Sequence, residues 1–145
     1  MKIISSIIGR IRRIVLRHPI YNAVTPIDYE IVRLGSDYGN KHFVNLPSLK
    51  GGTLISAGLG EDASFDIEFA TRFHAKVILI DPTPRALDHY NAITKRFGKP
   101  REMQYVSGGA QNPACYDLID VSKNNLTMMP VALASEDGEA EFYMP

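Results

Sequence analysis

The stretch from Thr53 to Asp81 constrains the fold of this chain more than any other part of it. Thr53-Leu-Ile-Ser-Ala57 is a short apolar run suited to a buried parallel strand, and it leads directly into Gly58-Leu59-Gly60-Glu61-Asp62. The pattern then predicts a helix from about Ala63, with Asp62 or Ser64 as N-cap and Phe65, Phe69 and Phe73 on one apolar face. Lys76-Val-Ile-Leu-Ile80 reads as a second strand ending in Asp81-Pro82-Thr83-Pro84. Pro84 suits the first turn of another helix, faced by Leu87, Tyr90, Ile93 and Phe97 and stopped by Gly98. Such a βαβα run implies a parallel sheet with right-handed crossovers.

The flanks are less regular. Glu30–Leu34 and His42–Leu46 read as two short strands around a Gly35-Ser-Asp-Tyr-Gly39-Asn40 turn. The span from Gly98 to Thr127 is too long for a simple connection and should contain structure. Asn112-Pro113 looks like the cap and first turn of a short helix through Val121, while Tyr116–Val121 reads equally well as a strand. Pro130-Val-Ala-Leu-Ala134 is expected to be the third sheet strand, followed by a Ser135–Gly138 turn and a half-exposed strand over Glu139–Tyr143.

Residues 2–17 carry a clean amphipathic pattern. Ile3, Ile4, Ile7, Ile8, Ile11, Ile14 and Val15 fall within an arc of about 140° at helical periodicity, with Arg10, Arg12, Arg13 and Arg17 opposite. This basic helix either packs on its own domain or a partner subunit, or lies on an anionic membrane surface. The arginines interrupt any secretory signal, and nothing approaches the roughly 20 apolar residues that span a bilayer. The expected organisation is therefore an N-terminal helix over residues 1–20 and one domain over 21–145.

Composition excludes several functions. Formal net charge is zero, so there is no basic stripe of the kind that binds nucleic acid. The single cysteine, Cys115, cannot form an internal disulfide, and no Cys/His cluster has metal-ligand spacing. Those features fit a reducing cytoplasm, with peripheral membrane contact open through residues 2–17. His42, His74 and His89 have no partner at catalytic spacing and read as structural or surface residues. Arg85 either approaches a ligand base or is solvated, Cys115 reads as a small buried side chain, and Glu136 and Asp137 read as turn residues.

The chemistry centres on the glycine turn. Gly58 and Gly60 lack a Cβ, so backbone there can approach a ligand closely. Asp81 follows Gly60 by 21 positions, where the acidic residue of a nucleotide-binding βαβ unit accepts from ribose hydroxyls. The alternative is a tight turn, with Asp81 merely capping the next helix. Gly58-x-Gly60-x-x-Ala63 also satisfies a dinucleotide fingerprint, but Glu61 and Asp62 would repel a pyrophosphate. S-adenosylmethionine has no phosphate and carries a sulfonium and an ammonium, which acidic residues favour.

Three segments carry a specific resemblance: Ser56–Asp66 with Ile80-Asp-Pro-Thr-Pro84, Val131–Tyr143, and the upstream Gly35-Ser-Asp-Tyr-Gly39. Together they resemble the FkbM-like class I methyltransferases over roughly residues 30–145. The resemblance implies a Rossmann-like α/β fold, S-adenosyl-L-methionine as methyl donor, and a hydroxyl acceptor on a sugar or secondary metabolite. It places Gly58 and Gly60 against the cofactor and Asp81 on its ribose, with Glu61 and Asp62 as further cofactor-binding candidates. The acidic residue often found two positions before the first glycine is Ser56 here, and the third small position of the loop is Asp62. That points to Glu61 or the Tyr38-Gly39 turn for the methionine end. The family's sheet has more strands than this chain supplies, so the fold is expected to be incomplete at the C-terminus, with no base assigned. A non-catalytic nucleoside-binding module and an NAD-dependent oxidoreductase are the alternatives; homo-oligomerisation is also open.

Overall fold

Apolar residues at spacing two and spacing four build the two kinds of element found. The computed structural model describes residues 30–139 and 141. The amphipathic segment 2–17 and most of the strand expected over Glu139–Tyr143 lie outside the described residues. Strands β1 (Ile31–Leu34) and β2 (Lys41–Val44) form an antiparallel hairpin, with Ile31 opposite Val44 and Leu34 opposite Lys41. Gly35 opens its turn at φ 99°, and a Cβ there would sit 3.0 Å from the Asn40 Cα, so only glycine fits.

The expected βαβα unit follows. Strand β3 (Thr53–Ala57), helix α1 (Ser64–Phe73), strand β4 (Lys76–Ile80) and helix α2 (Pro84–Thr94) come in turn, and strand β5 (Leu126–Met129) closes a parallel sheet. Sheet order is β3-β4-β5, with Ile55 beside Ile78 and Ile78 beside Thr127. The chain is thus mixed α/β. Alternation puts Leu54, Val77, Leu79, Leu126 and Met128 on one face, where they join a core shared by both helices. On the other face Ile55 and Met129 are 63% and 46% exposed.

The phenylalanines of α1 also do what their spacing predicts. Phe69 and Phe73 are buried, and Phe43 of β2 lies 5.7 Å, ring centroid to centroid, from each. Phe43 meets Phe65 edge-on at 6.1 Å, so one side chain fastens the hairpin to the whole face of α1. Two backbone donors align the contact: Gly35 N–H reaches Glu68 Oε2 and Ser36 N–H reaches Ser64 Oγ, both at 2.7 Å.

Three expectations need correction. The third sheet strand is Leu126–Met129, not Pro130–Ala134, whose residues are exposed and carry no strand. Pro130 has no N–H for a ladder, whereas Leu126 is fully buried beside Val77. Neither a helix through Val121 nor a strand over Tyr116–Val121 forms. Asn112 caps a single 3-10 turn, Pro113–Cys115, by accepting from Ala114 N–H. Beyond it, Leu118 exchanges backbone bonds with Gly98 and Lys99, while Tyr116, Leu118 and Val121 enter the core. The inner face of α2 is Ala86, His89, Tyr90 and Ile93, with Phe97 packing on the core beyond the helix end, so Leu87 lies beside the core-facing stripe. Cys115 is buried as expected, its thiol donating to the Gln104 carbonyl at 2.9 Å. Among the described residues no helix is long and apolar enough to cross a membrane.

Candidate functional site

The C-terminal ends of β3 and β4 meet where the glycine turn leaves the sheet. Gly58 and Gly60 take φ values of 85° and 55°, a region that disfavours any residue with a Cβ. Gly60 N–H donates to Asp81 Oδ2 at 2.9 Å. The other oxygen, Oδ1, accepts from Thr83 N–H at 2.9 Å and Thr83 Oγ1 at 2.7 Å. Asp81 is only 7% exposed. Burial pushes its carboxyl upward, but the Gly60 and Thr83 donors and the Arg85 charge outweigh this and hold it below the usual value. An ionised Asp81 therefore ties the turn to the end of the next strand.

In front of the turn lies an open cleft of about 550 Å³. Gly58, Gly60, Glu61 and Asp62 line it; Asp81 stands behind Gly60 and joins the site through that one bond. Four of the five residues singled out in the sequence thus face one space, and the fifth braces it. Arg85 lines the same cleft.

Asp62 is more committed than its sequence position suggests. Its Oδ1 accepts from Ser64 N–H at 2.9 Å, and its Oδ2 accepts from Ser36 Oγ at 2.5 Å. Ser36 Oγ in turn accepts from the backbone N–H groups of Tyr38 and Gly39. Asp62 therefore satisfies the start of α1, though the cap position itself is Ala63, and clasps the hairpin turn to the cleft. Glu61 is exposed, and its carbonyl holds Gln111 N–H at 2.9 Å, drawing the 108–111 segment alongside. Buried Gln111 braces that segment through bonds to Val106 and Gly108, and places Gly109 on the cleft wall near Tyr38.

Two charged lining residues were not singled out by sequence: Lys41 at the start of β2 and Asp66 in the first turn of α1. Asp66 is 4% exposed, and its Oδ1 is buried with no hydrogen-bond partner. Desolvation raises its carboxyl to about 6; the Ser56 hydroxyl, its own amide and Lys41 pull it down, and Asp62 pushes it up. Ser56, at the position where the resembled family often has an acid, lines the cleft too, and Asp66 is supplied by the helix. Its signal in the sequence was a carboxylate at the third residue of an otherwise apolar, phenylalanine-rich helix face.

His89 and Tyr116 form a buried pair under the turn, with Nε2 to hydroxyl distance 2.9 Å, and Tyr116 Oη also accepts Ala63 N–H at 3.0 Å. Neither lines the cleft; the pair links α2 to the start of α1. Among the described residues no group of His, Cys, Asp or Glu could hold a metal ion. Comparisons with family models, with curated proteins and with solved structures gave no match.

Proposed function

We propose that this chain forms the cofactor-binding part of a Rossmann-like, S-adenosyl-L-methionine-dependent methyltransferase acting on a hydroxyl acceptor. The observation that carries the reading is the composition of one cleft. Two positive-φ glycines stand at its back, braced by Asp81, and three carboxyl-bearing residues, Glu61, Asp62 and Asp66, stand around it against Lys41 and Arg85. Backbone without Cβ admits a flat nucleoside closely, and Asp81 holds that backbone in place through Gly60 N–H.

The residues present fit that cofactor. Buried Asp66 Oδ1 lacks a partner, and a Cβ built on Gly58 or Gly60 would meet nothing within 4 Å, so the glycine side of the cleft is open. Gly58 and Gly60 would lie against the nucleoside, with Asp81 behind them holding Gly60 in place and Glu61 and Asp62 near the sulfonium. The cofactor supplies an already activated methyl group. What the protein adds is alignment of an acceptor oxygen and removal of its proton.

An NAD-dependent oxidoreductase is the rival for the same turn. A pyrophosphate there would face Asp62 and, beyond it, Asp66, and like charges in a partly buried site repel. Calorimetric titration of the full chain with S-adenosylhomocysteine and with NAD separates the two. Binding of the first and not the second is expected. Asp81→Ala should weaken it indirectly, because the turn loses the charge-assisted bond, worth roughly 1.5–3 kcal/mol, that holds Gly60 in place. Replacing Glu61 and Asp62 by Ala should weaken S-adenosylmethionine and improve any residual NAD binding. NAD binding without S-adenosylhomocysteine binding would overturn the methyltransferase reading.

A further inference from the structure

The cleft contains a charge pair that the glycine turn does not need. Asp66 stands on α1 and Lys41 on β2, and the two are brought to one wall by the docking of Phe43 on the α1 phenylalanines. Lys41 is exposed on the hairpin and makes no ion pair within 4.0 Å among the described residues. Asp66 is nearly inaccessible, yet one carboxyl oxygen has no partner. A buried carboxyl without a full set of donors is unfavourable for folding, and one that lines a cleft has room for a donor from a ligand.

We infer that Asp66 and Lys41 form a subsite for a zwitterionic α-amino-acid group, with Asp66 receiving the ammonium and Lys41 the carboxylate. This rests on the proposed S-adenosylmethionine reading and names the part of the ligand that these two residues hold. The opposite charges match the two ends of an amino-acid head, which an uncharged nucleoside or a phosphate would not. Position supports it: Gly58, Gly60, Asp66 and Lys41 line the same cleft, together with Ser56, two residues before Gly58 on β3. Asp62, the other carboxyl nearby, has both oxygens engaged by Ser36 and Ser64 and is less free to take the ammonium.

The test compares two probes on the full chain by calorimetry: S-adenosylhomocysteine, which has the amino-acid head, and 5′-methylthioadenosine, which lacks it. The wild type should prefer S-adenosylhomocysteine. Asp66→Asn should lower that affinity roughly 10- to 100-fold, the loss of one charge-assisted bond, and leave 5′-methylthioadenosine binding unchanged. Retained 5′-methylthioadenosine binding also shows that the variant is folded. Lys41→Glu, at an exposed position, gives a second reading that does not depend on the core and should move the same probe in the same direction. If either variant keeps the wild-type preference, or the wild type does not discriminate between the probes, the subsite is wrong while the cofactor reading stands. Binding of neither probe by the wild type overturns both.

Discussion

Gly39 and Asp62 approach so closely that a Cβ on Gly39 would lie 2.6 Å from Asp62 Oδ2 and 2.9 Å from its Cγ. Asp62 has little room to yield, since one oxygen holds Ser36 Oγ and the other Ser64 N–H. The hairpin turn and the glycine turn are therefore in direct register. Gly39→Ala should break the Ser36 contact and lower stability by about 1–3 kcal/mol. It should also weaken S-adenosylhomocysteine binding, because the displaced carboxylate lines the cleft. Unchanged melting temperature and affinity together would show that the turn moves aside freely.

Asp66 makes a prediction of unusual sign. Its carboxyl titrates at about 6 rather than the ordinary 3.8, because burial disfavours the charged form. The folded state thus prefers the proton. The stability this group contributes is complete below about pH 3.8 and is lost as pH rises through about 6. Asp66→Asn should therefore stabilise the chain at pH 7, by an amount of the order of 3 kcal/mol, and flatten the stability profile between pH 4 and 7. Asp81 acts oppositely: with its carboxyl held low, its contribution is present above the usual carboxylate pKa and fades only as pH falls through the lowered value. Chemical denaturation at pH 5 and pH 7 for wild type and variant decides it; a less stable Asp66→Asn at pH 7 would contradict the burial argument. A gain in stability with a loss of ligand is the pattern of a functional group kept at the expense of the fold.

Tyr116 should prove structural. Its hydroxyl accepts from Ala63 N–H, one of the orphan donors at the start of α1, and lies 2.9 Å from His89 Nε2. Burial lowers the His89 pKa, although Glu61 and Asp62 pull the other way. Tyr116→Phe leaves Ala63 N–H and His89 Nε2 without their buried partner, which costs about 1–3 kcal/mol. The denaturation midpoint should fall with the slope unchanged. Adding His89→Phe to Tyr116→Phe should recover part of the loss, as both unmatched groups of that bond are then gone; purely additive losses would show that the two side chains do not interact.

The order β3-α1-β4-α2 was legible because local periodicity and local breakers decide it. Five apolar residues before Gly58, three phenylalanines at spacing four and a proline after Asp81 each act within a few residues of themselves. That Asp81 ends beside the glycine turn was legible too, since a crossover of 21 residues brings adjacent parallel strands to a common end, but that its carboxylate turns to Gly60 and Thr83 was not. The third strand was displaced from 130–134 to 126–129 because both stretches are apolar, and only burial of Leu126 beside Val77 chose between them. Tyr116–Val121 misled for a similar reason: its apolar residues enter the core from irregular backbone, which leaves no period to read.

By itself, then, the sequence determined which residues turn inward and where the backbone needs glycine, because propensity and hydrophobic period are local properties of the chain. It carried Gly58, Gly60, Glu61 and Asp62 into one loop for the same reason, as they are consecutive or nearly so. Only the tertiary structure decided that Asp66 and Lys41 share their cleft. Those two are 25 residues apart on different elements, and they meet because Phe43 docks the hairpin on α1 while Ser36 and Asp62 lock its turn. Desolvation is likewise a property of the assembled fold, and it is what turns Asp66 from an ordinary first-turn helix carboxylate into a buried, half-satisfied acid.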